Sequence, residues 1–306
     1  MHPMDSRPGI DGMEDLLRRS PSETTPLLLE LARRQASRRE PSELLAQLAR
    51  DGFVEPSALD QRTLHRLDGL ALGAADAFDA VALSPVAPLG ACSVLAPTAQ
   101  DRTLSTTRGT EVVSDPTNVL ALLAARRLAR EQHADVRLCT AHQVLRAQPL
   151  PKQAGFSRHF RLFAMLEAGR GRAEDGFEVD AIARHVAVYD ALFDAASSLG
   201  CTAPHRHATM YVAPRRAVLA QRVRDRLAAT VPHLTLVEEA FDSRYYDGLR
   251  VFFGARAANG EHVPLADVGL FDWVARLAAN RKLRCVASGF GLQLLPLLFD
   301  PARAAT

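Results

Sequence analysis

The chain has 306 residues, of which 47% are hydrophobic and 24% are charged. That length and composition suffice for a large buried core and predict a globular protein of one or two domains. The net charge of +2 supplies no strong field for nucleic acid or an anionic membrane. No apolar run reaches the roughly 20 residues of a bilayer-spanning helix, and the N-terminus has no basic-then-apolar signal sequence. We therefore expect a cytoplasmic protein without a membrane partner.

The four cysteines are far apart in the sequence and form no Cys-x-x-Cys pair. They are Cys92, Cys139, Cys201 and Cys285. No histidine accompanies them at a spacing typical of metal ligands. The pattern predicts four buried thiols in a reducing compartment and no metal site.

The N-terminal quarter is predicted to be helical after a loose start. Residues 1–24 are rich in Pro, Ser, Gly and Asp and predict a disordered N-terminus. A first helix is predicted over Pro26–Gln35, with proline at the first helical position, where its missing N–H costs nothing. A second helix begins at Pro41 with leucines on one face. A third is predicted to run from Pro56 to about Ala75.

Downstream of these helices, short apolar runs bounded by turn residues predict strands. The runs are Asp79–Pro85, Thr103–Val113, Val136–Ala141, Phe160–Leu166, His207–Val212, Leu234–Glu238, Leu249–Ala255 and Leu283–Ser288. Helices are predicted over Asn118–Gln132, over Phe177–Leu199 with Gly200 closing it, and over Ala217–Ala229. Gly289–Leu298 is predicted as a turn that enters a helix. Because few helices alternate with the strands, the pattern predicts an α+β fold with an antiparallel sheet flanked by helices.

A strand from Phe78 to Pro85 follows a long helix, and Val113-Ser-Asp-Pro-Thr117 enters another. These two segments resemble parts of the class II aminoacyl-tRNA synthetases, in particular the histidyl family. The strand that begins at Phe78 and ends at Pro85 resembles motif 1, which lies on the dimer interface. Val113–Thr117 resembles the segment with which the histidyl family holds the α-amino group of its amino acid. The resemblance implies that Asp115 and Thr117 bind an ammonium group, whose desolvation a carboxylate and a hydroxyl can offset. The residues alone also allow Asp115 to be only the N-cap of the following helix.

A third segment resembles motif 2 and its return strand. Arg146 matches the arginine that holds the α-phosphate of ATP and the substrate carboxylate, and Gln148 replaces the glutamate of that motif. Arg161 matches the arginine of the return strand. Glu167 lies where the histidyl family reads imidazole, but the surrounding residues differ, so histidine is not implied as the ligand. On the residues alone, both arginines could instead form structural ion pairs.

Two more segments complete the resemblance. Tyr245 and Tyr246 resemble the histidyl signature Arg-Gly-Leu-x-Tyr-Tyr-Thr-Gly, without its leading arginine. On the residues alone, the two tyrosines could be a buried pair on the sheet. Gly289–Leu295 resembles motif 3, Gly-x-Gly-x-Glu-Arg-Leu, with Gln293 in place of the acid and Leu294 in place of the arginine.

The collinear order of these segments implies a class II synthetase-like core over residues 78–306, a homodimer built on motif 1, and a small helical extension over residues 25–77. A leucine cannot stack on adenine or pair with a triphosphate as the motif 3 arginine does. The chain also stops directly after motif 3. No anticodon-binding domain and no tRNA partner are therefore expected.

The resulting expectation is a histidyl-synthetase-like paralog that binds an amino acid or related small zwitterionic metabolite and does not charge tRNA. Its role would be sensory, regulatory or repurposed, without a metal or other cofactor. The expected ligand-binding residues are Asp115, Thr117, Arg146, Arg161, Glu167, Tyr245, Tyr246 and Gln293. Three alternatives stay open: an enzyme that forms an acyl-adenylate with ATP and magnesium, a regulatory subunit of ATP phosphoribosyltransferase with that partner enzyme, and an interaction module using the motif 1 surface.

Overall fold

The computed structural model of the protein describes residues 13–131, 133–149, 157–257 and 259–300. The helices of these residues are α1 (Met13–Arg18), α2 (Pro21–Ala36), α3 (Pro41–Leu48), α4 (Gln61–Ala74), α5 (Ala91–Leu95), α6 (Pro116–Leu128), α7 (Gly176–Ala195), α8 (Ala217–Thr230), α9 (Trp273–Leu277) and α10 (Leu294–Leu298). The strands are β1 (Asp79–Ala80), β2 (Val86–Pro88), β3 (Thr110–Val112), β4 (Val136–Leu145), β5 (His159–Arg170), β6 (Arg206–Val212), β7 (Thr235–Ala240), β8 (Leu249–Arg256), β9 (His262–Phe271) and β10 (Leu283–Gly291).

Eight strands form one sheet in the order β1-β4-β5-β10-β9-β8-β6-β7. The six central strands pair antiparallel, and only the edge pairs β1–β4 and β6–β7 are parallel. Strands β2 and β3 form a separate antiparallel ribbon. This arrangement confirms the predicted α+β fold with an antiparallel sheet flanked by helices.

The two faces of the sheet bury different helices. Because side chains alternate along a strand, Phe163 and Met165 of β5 pack in one core with α7, whereas Ala164 and Leu166 pack in a second core with α6 and α9. We call these the α7 face and the α6 face. The alternation decides which side chains of each strand can meet a ligand on either side.

Several predicted elements agree closely with the structure. Helix α8 and strand β6 match their predicted spans within one residue, and α7 continues through a short 3₁₀ segment, Ala196–Leu199. Gly200 ends that segment in the left-handed conformation, at φ 81°. A side chain would be strained there, which is the physical basis of the predicted C-cap.

The N-terminal helices begin at other residues than predicted. Helix α2 begins at Pro21, so Pro26 lies inside it and not at its first position. The start is fixed by Ser20, whose N–H donates to Oε2 of Glu23 at 2.8 Å, in the manner of a capping box. Helix α4 begins after Asp60, whose carboxylate accepts from two backbone N–H groups, and not at Pro56.

Part of the segment predicted to be disordered is helical. Helix α1 and the start of α2 lie within residues 13–24, and residues 1–12 lie outside the described residues. Helices α1, α2 and α3 bury none of their residues, and their leucines are exposed except for the half-buried Leu29. The predicted division at residues 24 and 77 stays a prediction.

The strands predicted before α6 are shorter in the structure. Only Asp79–Ala80 of the predicted Asp79–Pro85 pairs with β4, and only Thr110–Val112 of Thr103–Val113 forms a strand. Strand β9 was not predicted, because Pro264, Asp267 and Gly269 interrupt its apolar pattern and are depleted in strands. Pro264 is tolerated because it lies beside a β-bulge at Phe253/Gly254.

Candidate functional site

A cavity of about 740 Å³ opens on the α6 face of the sheet. Its lining includes five of the eight predicted ligand-binding residues. They are Asp115, Thr117, Arg146, Tyr245 and Tyr246. Strand β10 contributes the small residues Ala287, Ser288 and Gly289 to the lining, which leaves room above the sheet.

Asp115 lies at the N-terminus of α6, as its N-cap residue. Its Oδ1 accepts hydrogen bonds from the N–H of Thr117 at 3.0 Å and from the Thr117 hydroxyl at 2.6 Å. Pro116 supplies the first helical residue, where the missing N–H is harmless. The capping role and a place in the cavity therefore coexist, since Asp115 also lines the cavity.

Tyr245 and Tyr246 form one wall of the cavity. The Tyr245 hydroxyl donates to Oδ2 of Asp115 at 3.1 Å, and the Tyr246 hydroxyl donates to Oδ2 of Asp267. Their rings meet edge to face with centroids 4.9 Å apart. Burial, reinforced by the neighbouring carboxylates, raises the pKa of both phenols. Both tyrosines are therefore neutral hydrogen-bond donors at neutral pH.

Arg146 follows directly after β4 and supplies a positive charge to the cavity. Its Nε donates to the carbonyl oxygen of Ser114 at 2.9 Å, and its guanidinium carbon lies 5.1 Å from the centre of the Phe160 ring. No carboxylate of the described residues forms an ion pair with it, in contrast to the structural pair that the residues alone allowed. The guanidinium retains donors for an anionic group.

Two charged residues of the cavity were missed by the sequence prediction. Arg250 on β8 and Asp267 on β9 lie on the α6 face and line the cavity with Tyr246. Burial raises the pKa of the Asp267 carboxyl to about 6, against the opposing effects of the Tyr246 hydroxyl and the Arg250 guanidinium. An aspartate inside an otherwise apolar run is the sequence signal that could have found this position.

Arg161 and Glu167 lie outside the cavity, on the α7 face of β5. Arg161 forms a two-pronged ion pair with Asp68 of α4, with hydrogen bonds of 2.8 and 2.5 Å. Glu167 is 3% exposed and accepts from Arg137 at 3.2 Å and from Arg184 of α7 at 3.0 Å. Side chains alternate along β5, so Arg161 and Glu167 point to the same face as Phe163 and away from the cavity, which Leu162 lines. Both residues therefore stabilise helix packing.

Gln293 is also outside the cavity. Its side-chain oxygen accepts from the backbone N–H of Arg161 at 3.2 Å, and its amide nitrogen donates to the Ser157 hydroxyl at 3.2 Å. Leu294, at the start of α10, packs against the core of the α7 face. The side chains of Gln293 and Leu294 therefore stabilise the surroundings of β5 and α10 and do not line the cavity.

The described residues include all four cysteines and most of the side chains that could bind a metal ion. All four cysteines are buried and free of disulfides, as predicted. Burial raises the pKa of Cys139 to about 11, which keeps that thiol protonated. Within the described ranges, no three His, Cys, Asp or Glu side chains converge as a metal site would require. In the same residues, no helix combines the length and the apolarity needed to cross a bilayer.

Solved structures with the same architecture include three whose sequences are 10–13% identical to this chain. An ATP phosphoribosyltransferase regulatory subunit/histidyl-tRNA synthetase from Bacillus halodurans superposes with a TM-score of 0.57 over 79% of this chain and 81% of its own, at 13% identity. A histidine–tRNA ligase subunit from Alicyclobacillus acidocaldarius gives 0.57 over 83% and 97%, at 13% identity. The histidyl-tRNA synthetase of S. aureus gives 0.56 over 77% and 64%, at 10% identity.

The chain has a class II synthetase-like fold. This confirms the predicted resemblance at the level of architecture. No protein-family model matches the sequence, and no curated protein matches it. The functional argument therefore depends on the cavity itself.

Proposed function

We propose that the chain binds an amino acid or a related small zwitterion in the cavity and does not charge tRNA. The observation that carries the proposal is the pairing of opposite charges in one cavity. Asp115 and Thr117 supply acceptors beside α6, and Arg146 supplies unpaired donors from the end of β4. A zwitterion presents the complementary ammonium and carboxylate groups.

The structure around Leu294, in the segment that resembles motif 3, supports the proposal that the chain does not charge tRNA. Activation of an amino acid requires positive charge on the triphosphate of ATP, which arginines and magnesium supply. Leu294 offers none and is part of an apolar core, and Arg161 is occupied by Asp68. Removing one partner of a buried charge contact typically costs ~2–5 kcal/mol, or roughly 30- to 3,000-fold in affinity. ATP binding in a productive geometry is therefore not expected.

Thermal unfolding with each of the 20 common amino acids tests the proposal directly. A ligand that binds only the folded state adds RT ln(1 + L/Kd) to the free energy of unfolding, where L is the free ligand concentration, so Tm rises with the logarithm of ligand concentration above Kd. We expect at least one amino acid to raise Tm at millimolar concentration, and ATP with magnesium to leave Tm unchanged. Absence of any shift across the amino acids would overturn the binding proposal.

Pyrophosphate exchange separates binding from activation. We expect no amino-acid-dependent exchange between ATP and pyrophosphate. Exchange with any one amino acid would instead establish an enzyme that forms an acyl-adenylate, the alternative that the presence of Arg146 and Arg161 in the sequence leaves open.

A regulatory subunit of a partner enzyme is the second candidate. It is favoured by the structural likeness to the Bacillus halodurans protein, of which 81% is covered. If this chain has the same role, it should co-elute with the catalytic chain of an ATP phosphoribosyltransferase from the same cell. Separate elution of the two purified chains, with and without histidine, would exclude this candidate.

The motif 1 resemblance adds a proposal about assembly. We expect a homodimer that buries the segment around β1 and the end of α4, where Leu72 is exposed in the monomer. Light scattering at micromolar concentration tests it, and a mass near 33 kDa would contradict it.

A further inference from the structure

Two buried polar atoms of the cavity lining have no hydrogen-bond partner among the described residues. They are Oδ1 of Asp267 and Nε of Arg250. The other oxygen of Asp267 is occupied by the Tyr246 hydroxyl. Because more than about 90% of buried polar groups in proteins are hydrogen-bonded, two unpaired atoms in one cavity indicate a missing polar group.

The two side chains do not pair with each other. The guanidinium carbon of Arg250 lies 4.3 Å from the centre of the Phe252 ring, 4.5 Å from Tyr211 and 5.4 Å from Tyr246. These aromatic contacts fix the cation in place. Asp267 is the cross-strand partner of Phe252, and neither a hydrogen bond nor an ion pair joins Asp267 to Arg250, both of which are described. Both side chains thus line one cavity, and each keeps a buried polar atom that the other does not satisfy.

We propose that Arg250 and Asp267 recognise the side-chain carboxamide or ureido group of an α-amino acid. The inference rests on the proposed function, in which Asp115 and Arg146 hold the ammonium and carboxylate ends of the ligand. The carbonyl oxygen of the carboxamide accepts from Arg250, and its NH₂ group donates to Asp267. One planar neutral group then satisfies both unpaired atoms.

Charge matching selects this class over the other side chains. Apart from the solvent-exposed Arg102, the charged residues of the lining are Asp115, Asp267, Arg146 and Arg250, and the zwitterionic ends of the ligand match one charge of each sign. An acidic side chain would place a second carboxylate against Asp267, and an ammonium side chain would face Arg250. An apolar side chain would leave both buried groups unpaired, at the full cost of their desolvation.

The test is a comparison of isosteric ligands by titration calorimetry at pH 7.5. The ligands are glutamine, asparagine, glutamate, aspartate, lysine and norleucine. We expect at least one amide, glutamine or asparagine, to bind about tenfold or more tightly than the corresponding acid, glutamate or aspartate. The same amide should bind more tightly than lysine and norleucine by a similar factor. The Asp267→Asn variant removes the repulsion of an acidic side chain, so its preference for the amide over the acid should fall to within about threefold.

Asp225→Asn is the matched control. Asp225 accepts from Gln221 on the exposed surface of α8, outside the cavity lining, so the ligand preference should stay as in the parent. Unfolding of each variant is followed by circular dichroism to show that it is folded.

The outcomes separate the two proposals. Binding of several amino acids with no preference for a carboxamide would overturn this inference and leave the proposed function standing, with water bridging Arg250 and Asp267. An unchanged amide preference in Asp267→Asn would also overturn it. No binding by any amino acid would overturn the proposed function, and this inference with it.

Discussion

The Tyr245 hydroxyl donates a 3.1 Å hydrogen bond to Oδ2 of Asp115, which lies 130 positions earlier in the chain. The other carboxylate oxygen of Asp115 caps α6 and holds the Thr117 hydroxyl. One carboxylate therefore connects the start of a helix, the tyrosine wall and the cavity. The negative charge of Asp115 should affect ligand affinity, whereas its ability to accept hydrogen bonds stabilises α6. Substitutions can therefore separate ligand affinity from helix stability.

Asp115→Asn should weaken ligand binding without unfolding the protein. Asparagine is as good an N-cap residue as aspartate, so the free energy of unfolding should change by less than about 0.5 kcal/mol. The lost charge should lower amino-acid affinity about tenfold or more, because a charge-assisted bond to the ammonium group becomes a neutral one. Calorimetry and urea unfolding measure the two effects, and parental affinity in this variant would contradict the role of Asp115.

Asp60→Ala is the control for capping alone. Asp60 caps α4 through the N–H groups of Arg62 and Thr63, and it lies outside the cavity lining. We expect this variant to unfold at a lower urea concentration than the parent, because helix α4 loses its N-cap, with ligand affinity unchanged.

Glu167 is predicted to matter for stability and not for the ligand. It is buried between Arg137 and Arg184, and removing one partner of a buried ion pair costs about 3–5 kcal/mol because the remaining charge is uncompensated. The arginines are 35% and 30% exposed, so water should reduce the cost toward the lower end of that range. Urea unfolding of Glu167→Ala measures it.

Glu174→Ala is the matched control for Glu167→Ala. Glu174 pairs with Arg222 at the surface and is 78% exposed, and exposed pairs contribute about 0–1 kcal/mol. Amino-acid affinity should be the same in both variants once they are folded. A selective loss of affinity in Glu167→Ala would restore Glu167 as a ligand-binding residue, as first predicted from the sequence.

Asp267 should make stability fall as pH rises through the mildly acidic range. Burial raises its pKa to about 6, compared with about 4 for an exposed aspartate. Between these values the folded chain keeps a proton that the unfolded chain has released, so deprotonation favours unfolding. The contribution is fully present below about pH 4, is lost as pH rises through about 6, and is constant above.

Asp267→Asn removes this dependence. The stability of the variant relative to the parent should therefore increase from pH 4 to pH 7, by at most about 3 kcal/mol for a pKa difference of this size. Urea unfolding at closely spaced pH values gives the difference directly. A difference that stays constant from pH 4 to pH 7 would show that the Asp267 carboxyl titrates normally.

The sequence predicts most of this fold because its strongest elements are periodic. Helix α6 carries an apolar stripe of Leu120, Ala124 and Leu128, all buried in the structure, α7 has a glycine stop at Gly200, and both are present together with the predicted α8. The candidate site is predicted less completely. Arg161 and Glu167 were placed by resemblance alone, whereas the period of two along β5 puts them on the face opposite Leu162.

The unpredicted strand β9 illustrates why the rest was missed. Asp267 and Gly269 are residue types that are depleted in strands, so they weaken the prediction of a strand here. In the structure, Asp267 supplies a carboxylate to the cavity and Gly269 leaves room for the Tyr246 ring. Residues selected for a site break the local pattern from which secondary structure is predicted. The strand that the sequence fails to predict is therefore the one that carries Asp267 and Gly269.

Gly269→Ala should damage the cavity wall. A Cβ atom at position 269 would overlap the ring of Tyr246, which must then move away from Asp267. Such overpacking typically costs about 1–3 kcal/mol. We also expect lower amino-acid affinity, because the Tyr245–Tyr246 wall shifts with the ring. Tm and calorimetry on the purified variant provide both measurements.

Gly69→Ala is the matched control, since it makes the same chemical change elsewhere. Gly69 lies in the middle of α4, and an added Cβ would meet no atom within 4 Å. Alanine in a helix is favoured over glycine by roughly 0.5–1 kcal/mol, so this variant should be more stable than the parent, with affinity unchanged. If both substitutions instead changed Tm in the same direction by similar amounts, the close approach of Gly269 to Tyr246 would not be a determinant of the site.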